Sequence, residues 1–406
     1  MAISNLYPAE GPTLNLNFAN SRTLDRRITF ERTTSATYMG RDGLIKTAAA
    51  DEPRFDHRYQ NGQVESLGLL IEEGTTNLVN YSTYFASDSS PRWRNYFPAT
   101  ATITTGIDAP DGTNTAVRLT CNNTGSSLLR VEFDAFTPNG TDTYTASFYV
   151  RKISGTSANG GELTCDLHDG SPSTNYLPQL VTNQWVRIVV SGVPSNSLKS
   201  FFDLLSDRRT DYVLDFWGVQ IERKSFATSY MPSSGIQGSR GKDIPTISGS
   251  NFTDWYNPTE GSIFVKYSMK GYYATDGFNR IFEISDGGNQ NRFTALLRGI
   301  NSDIYEGWGI TGVGNVDFNT VFINFNEFYT WAAGFKYNDY QRYAKDRNGN
   351  IDGLTDESLL INNFNPTELN IGYEAIGDNR QLNGHISQLV YYPTRLTNEQ
   401  LQNLIK

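Results

Sequence analysis

Short segments with alternating side chains recur about every ten residues along this chain, and that rhythm confines it to β architecture. Leu14, Leu16 and Phe18 share one face of a strand over 13–18. Tyr144, Ala146, Phe148 and Val150 alternate with Thr145, Ser147 and Tyr149 in the same period-2 pattern. Further strands are expected at 116–120, 129–133, 185–190 and 212–221. After the Ser/Gly-rich run Ser233 to Gly241 they resume at 262–267, 280–284, 293–297, 330–337, 369–373 and 385–392. One helix is expected, at the end of the chain. Thr397 and Gln400 form a capping box there, and Leu401, Leu404 and Ile405 follow as an apolar stripe. The expected fold is all-β: two antiparallel β-sandwiches, at 81–232 and 251–406, joined by a linker at 233–250. A small strand-and-turn segment, 1–80, comes first.

Composition supports this and excludes several functions. Of 406 residues 13% are aromatic, a class that suits pleated, half-buried surfaces. The net charge is −9 and no Lys/Arg cluster is present, so neither nucleic acid nor an anionic membrane surface is an expected partner. No run reaches the ~18 apolar residues of a membrane span, and the first residues show no basic, apolar leader. Two cysteines, Cys121 and Cys165, support neither a disulfide framework nor a zinc site and are expected as buried thiols. The three histidines, His57, His168 and His385, lie far apart without ligand spacing.

Catalytic constellations are missing from the pattern. Glu72-Glu73 and Asp356-Glu357 are adjacent, and neighbours on a strand point to opposite faces, so neither reads as a cooperating acid/base dyad. No Gly-x-Ser-x-Gly elbow, His-Glu-x-x-His helix or phosphate-cradling glycine loop occurs. No cofactor is expected, and the protein reads as a non-enzyme. One stretch has calcium-loop spacing: Asp346, Asn348, Asn350 and Asp352, with Glu357 at the twelfth place. Ile351 stands where such a loop needs glycine, so a β-turn is expected there ahead of calcium. Aromatic residues in polar, turn-rich stretches are the remaining candidates, because sugar rings stack on aromatic faces while polar groups take their hydroxyls. They are Trp93, Tyr96, Tyr272, Tyr273 and Tyr340, with Arg342 as a polar partner. Trp185, Trp217 and Trp331 lie in apolar strands and are expected in the core.

Several words in fixed order resemble a block of tailed-phage head-spike and tail-fibre proteins. They are Phe30-Glu31-Arg32-Thr33-Thr34-Ser35-Ala36-Thr37-Tyr38, Asp42-Gly43-Leu44-Ile45-Lys46, Glu52-Pro53-Arg54-Phe55-Asp56-His57 and Leu67-Gly68-Leu69-Leu70-Ile71-Glu72-Glu73. The block departs from the usual version at Gly74-Thr75 and over 58–64, both at turns. Asp215-Phe216-Trp217-Gly218-Val219-Gln220-Ile221-Glu222, followed by Phe226-Ala227-Thr228-Ser229-Tyr230-Met231-Pro232, resembles a carbohydrate-binding-module-like jelly roll of the same proteins. Glu260-Gly261-Ser262-Ile263-Phe264 with Leu382-Asn383-Gly384-His385-Ile386 resembles concanavalin-like, laminin-G-like sandwiches.

The resemblance implies a virion protein whose first eighty residues dock on other virion proteins, portal, tail or capsid. Its sandwiches would face host cell-surface polysaccharide. A shallow sugar contact of about 4 kcal/mol holds a cell only through many copies, so a homo-oligomer is expected, a trimer by analogy with fibres. Two other readings are a structural capsid or tail decoration without glycan binding and a polysaccharide depolymerase.

Overall fold

The computed structural model describes residues 8, 10–60, 62–83, 92–95, 101–121, 129–132, 138–155, 164–165, 174–175, 180–193, 201–202, 212–272, 278–288, 291–298, 303–310, 313–356, 364–376 and 380–406. In several strands, 92–95, 129–132, 303–310 and 313–322 among them, only the backbone is described. Every described ladder between strands is antiparallel, and the two described helices are short.

The chain divides into two compact units, and their boundaries differ from the linear expectation. The first comprises 1–43, 48–74 and 241–406; the second comprises 44–47 and 75–240. Residues 1–80 therefore do not form a module of their own. In the first unit Gln63–Ile71 pairs with Gly384–Tyr392, Phe55–Gln60 adds beside it, and Leu14–Asn17 joins the same central strand farther along. Those strands complete an eight-stranded sheet, and Thr29–Glu31 similarly extends a seven-stranded sheet along Ile244–Ser248. The reason is apolar alternation: Leu14, Leu16, Leu69 and Ile71 need a hydrophobic partner surface, which the 241–406 strands supply.

The core of this unit lies between its two sheets. Trp331 meets Phe282 at 5.4 Å and Phe293 at 6.2 Å, and Phe293 meets Phe335 at 5.5 Å, in tilted or edge-on geometries. The closing helix, Asn398–Leu404, is capped as its sequence dictates: Thr397 Oγ1 accepts from the Gln400 amide and Gln400 Oε1 accepts from the Thr397 amide. Leu401 and Ile405 seal the outer face of the eight-stranded sheet against Phe264, Ala332 and Tyr343.

Charged residues from the recognisable words lie inside this unit. Arg32 donates to Asp243 Oδ1 at 3.0 Å, and Arg54 donates to Glu72 Oε2 at 2.8 Å and to Asp243 Oδ2. Lys270 donates to the other Glu72 oxygen at 3.0 Å. All but Lys270 have fully buried side chains. The network ties 30–74 to Asp243, which lies far away in sequence. Gly68 is required where it stands: its φ is +96°, and a Cβ would fall 2.4 Å from the Ile386 carbonyl oxygen.

The second unit is a β-sandwich. Its five-stranded sheet runs in the order Trp185–Gly192, Tyr144–Ser154, Val213–Glu222, Ala116–Cys121, Ala101–Ile107. A three-stranded sheet of Phe201–Phe202, Leu129–Glu132 and Arg92–Asn95 accompanies it. One face of the five-stranded sheet supplies Val117, Leu119, Ala146, Phe148, Val150, Ile188, Leu214 and Phe216 to the core. The other face is polar and carries the site.

Candidate functional site

A bulge divides that polar face into two halves. Asp215 and Trp217 alternate with the core residues Leu214 and Phe216, but at Gly218, φ +68°, the parity shifts, so that Val219 and Ile221 face the core instead. The pairing of this strand with Tyr144–Ser154 shifts register there too. From Trp217 onward the face is covered. Trp217 packs on Tyr230 at 4.4 Å and on Tyr149 at 5.6 Å, and donates from Nε1 to Thr115 Oγ1. The segment after the strand is pinned over it: Gln220 Oε1 accepts from the Met231 amide at 2.6 Å, and Glu222 accepts from the Thr228 amide and hydroxyl.

Before the bulge lies a row of different character. Register places Thr104, Arg118, Asp215, Arg151 and Trp185 side by side across all five strands. At the usual strand spacing the row spans about 19 Å. Asp215 is fully buried at its centre and accepts from both arginines: Arg118 Nε at 2.7 Å and Nη2 at 3.1 Å, Arg151 Nε at 3.0 Å and Nη2 at 2.8 Å. The two guanidiniums are thereby held in place, on side chains that stay 32% and 19% exposed. The Arg151 guanidinium lies over the Trp185 ring, 4.7 Å from its centroid, and the ring is half-buried. The result is a flat, cationic-aromatic surface fixed by a buried carboxylate.

Most residues singled out from sequence lie elsewhere. Tyr96 and Tyr273 fall outside the described residues; Trp93 sits on Arg92–Asn95, where only the backbone is described. Tyr272 is half-buried against the first unit's core, edge-on to Phe325 at 5.0 Å. Tyr340 and Arg342 are corrected to interior residues, 1% and 0% exposed. They share the inward face of Asp339–Lys345 with Ala344, and Arg342 is neutralised by Asp352 at 2.5 Å. The calcium-like stretch is the turn between Asp339–Lys345 and Ile351–Asp356. Asp346 uses its carboxylate to accept from the Asn348 amide at 2.8 Å and from the Asn350 amide at 2.7 Å and side chain at 3.0 Å. Asp346 is thus turned to its own loop and Asp352 to Arg342. Among the described residues no group of three or more His, Cys, Asp or Glu could hold a metal ion.

Trp217 and Trp331 are core residues, 1% and 0% exposed, as expected, whereas Trp185 is not. The signal was in the strand itself. Trp185, Arg187, Val189 and Ser191 alternate with Val186, Ile188 and Val190, and it is the second set that packs into the core.

The first unit also brings Ser268, His385 and Asp56 together. His385 Nε2 lies 2.8 Å from Asp56 Oδ2, and its Nδ1 lies 3.1 Å from Ser268 Oγ. Those are hydrolytic residue types, yet Ser268 is 3% and His385 4% exposed, inside a strand ladder, so no substrate reaches the hydroxyl. The trio is a structural hydrogen-bond chain.

No protein-family model matches the chain, and no curated protein sequence matches it. Solved structures similar to parts of it include the CBM40 module of Ruminococcus gnavus IT-sialidase bound to α2,3-sialyllactose. There the identity is 12% and the TM-score 0.30, over 37% of this chain and 84% of that one. The tandem CBM22 domains of Paenibacillus barcinonensis Xyn10C are 10% identical with a TM-score of 0.26, over 79% of this chain and 99% of that one. Domains LG4-5 of the mouse laminin α1 chain are 10% identical with a TM-score of 0.23, over 75% and 89%.

Proposed function

We propose that this chain is a non-enzymatic virion protein of a tailed phage, a tail fibre or head spike. In this reading it binds host-surface glycan through the open half of the second unit's five-stranded sheet. One observation supports the binding function above the others: half-buried Trp185, stacked by Arg151, in a row with Arg118 and buried Asp215. An indole face receives the C–H face of a pyranose, and immobilised guanidiniums donate to ring oxygens without losing freedom on binding. The virion role rests on the words in 30–73 and 215–232. Because Leu14–Asn17 and Gln63–Ile71 are strands of the first unit's sandwich, particle attachment in this reading falls to that folded unit.

The test pairs a glycan array and whole-cell binding with immuno-electron microscopy of intact particles. Array and cell binding that disappear in Trp185→Ala, with label on particles, is the expected result. Label on particles with blank binding assays would establish a structural decoration protein instead. Release of reducing ends from host polysaccharide would establish a depolymerase.

A further inference from the structure

We infer that the ligand of the Arg118–Asp215–Arg151–Trp185 row is an acidic glycan, whose carboxylate or sulfate is taken by the two guanidiniums; this rests on the glycan-binding reading above. The argument is an account of donors and acceptors. Both oxygens of Asp215 are occupied by the four bonds from Arg118 and Arg151. Arg151 Nη2 also reaches the Asp108 carbonyl oxygen at 3.3 Å, and Asp108 Oδ1 accepts from Asn114 at 2.8 Å. The unused capacity of the row is therefore nearly all donor: the Nη1 groups of both arginines have no hydrogen bond among the described residues. A guanidinium carries five N–H donors and no acceptor, so its spare groups are met by a ligand rich in acceptors.

Sugar hydroxyls both give and take hydrogen bonds and gain little here over water. An oxyanion takes two donors at once from a planar guanidinium, with charge assistance. Arg118, Arg151 and Asp215 alone sum to a charge of +1, and the exposed Asp108, whose carbonyl meets Arg151, lies at one end of the row. The protein's net charge of −9 opposes a polyanion at long range. Salt screens that repulsion beyond about 8 Å at physiological strength, so selection operates at contact.

The experiment uses the full chain on an array carrying uronate-, sialate- and sulfate-bearing glycans beside neutral ones. Polygalacturonate and its methyl ester, which removes the charge and keeps the backbone, are compared alongside. Acidic members are expected to dominate, and which acid responds distinguishes carboxylate from sulfate. Arg118→Gln leaves Arg151 on buried Asp215; checked for folding by its thermal unfolding transition, it is expected to weaken the best acidic glycan roughly tenfold or more, and Arg118→Lys to restore part of the loss. Equal binding of neutral and acidic glycans, or an Arg118→Gln variant that folds and still prefers acids, overturns the inference and leaves the glycan reading standing. Binding to no glycan at all removes both.

Discussion

The guanidinium of Arg54 donates to the carboxylate of Glu72 across 2.8 Å with neither side chain exposed to water. Burial works to discharge Arg54, but Asp243 and Glu72 outweigh it and hold its pKa above the ordinary arginine value. Removing one partner of such a pair strands a buried charge and costs about 3–5 kcal/mol. Arg54→Met is expected to lose that much in urea unfolding. Arg54→Met combined with Glu72→Leu is expected to recover part of it. A loss under about 1 kcal/mol in the single variant would show that the network is hydrated.

Acid should loosen the same unit through His385. Burial holds this imidazole below its ordinary value near 6.5, against the opposing pull of Asp56. The unfolded chain then binds a proton before the folded one does. The stability contribution is complete above about pH 6.5 and is lost as pH falls from there toward the depressed folded value. Asp56 acts in the same direction at lower pH: burial raises its pKa, but the His385 hydrogen bond and charge, Lys270 and the Met39 amide outweigh that and lower it. Melting temperatures measured downward from neutral pH should fall, and His385→Gln should flatten the part of the curve just below pH 6.5.

Two tryptophans separate binding from stability. Trp217→Ala empties a fully buried site and should cost about 3–5 kcal/mol. Trp185→Ala removes a half-buried ring and should cost clearly less than the Trp217 variant while abolishing glycan binding. Binding retained by a folded Trp185→Ala variant would move the site off this row.

Truncation tests the interlaced first unit. Deleting residues 1–74 removes Leu14–Asn17, Thr29–Glu31, Phe55–Gln60 and Gln63–Ile71 from its sheets and uncovers Leu389, Tyr391 and Ile386. The shortened chain is expected to lose the cooperative transition of that unit and to aggregate. A soluble 75–406 chain that keeps a sharp, cooperative transition for the 241–406 strands would show that they fold without 1–74.

The reach of sequence reasoning varied with the range of the interaction. The Thr397–Gln400 capping box is a contact three residues long, and residue type alone specified it. Alternation in 144–150 placed Ala146, Phe148 and Val150 on the core face, because side-chain direction on a strand has period two. Tyr340 and Arg342 were misread for the same reason in reverse. Aromatic and charged residues in a polar context look exposed, and only the second sheet, packed over the inward face of their strand, buries Tyr340 and Arg342.

What the sequence determined by itself was local: strand rhythm, the closing helix, the turn at Asp346, and the absence of catalytic motifs. Tertiary structure decided which strands share a sheet, and so placed 1–74 with 241–406. It also set Arg118, Asp215, Arg151 and Trp185 in one row. The physical reason is that such a row exists only across strands. Its members lie up to 97 residues apart in sequence, and antiparallel register, which no local pattern encodes, brings them within hydrogen-bonding distance.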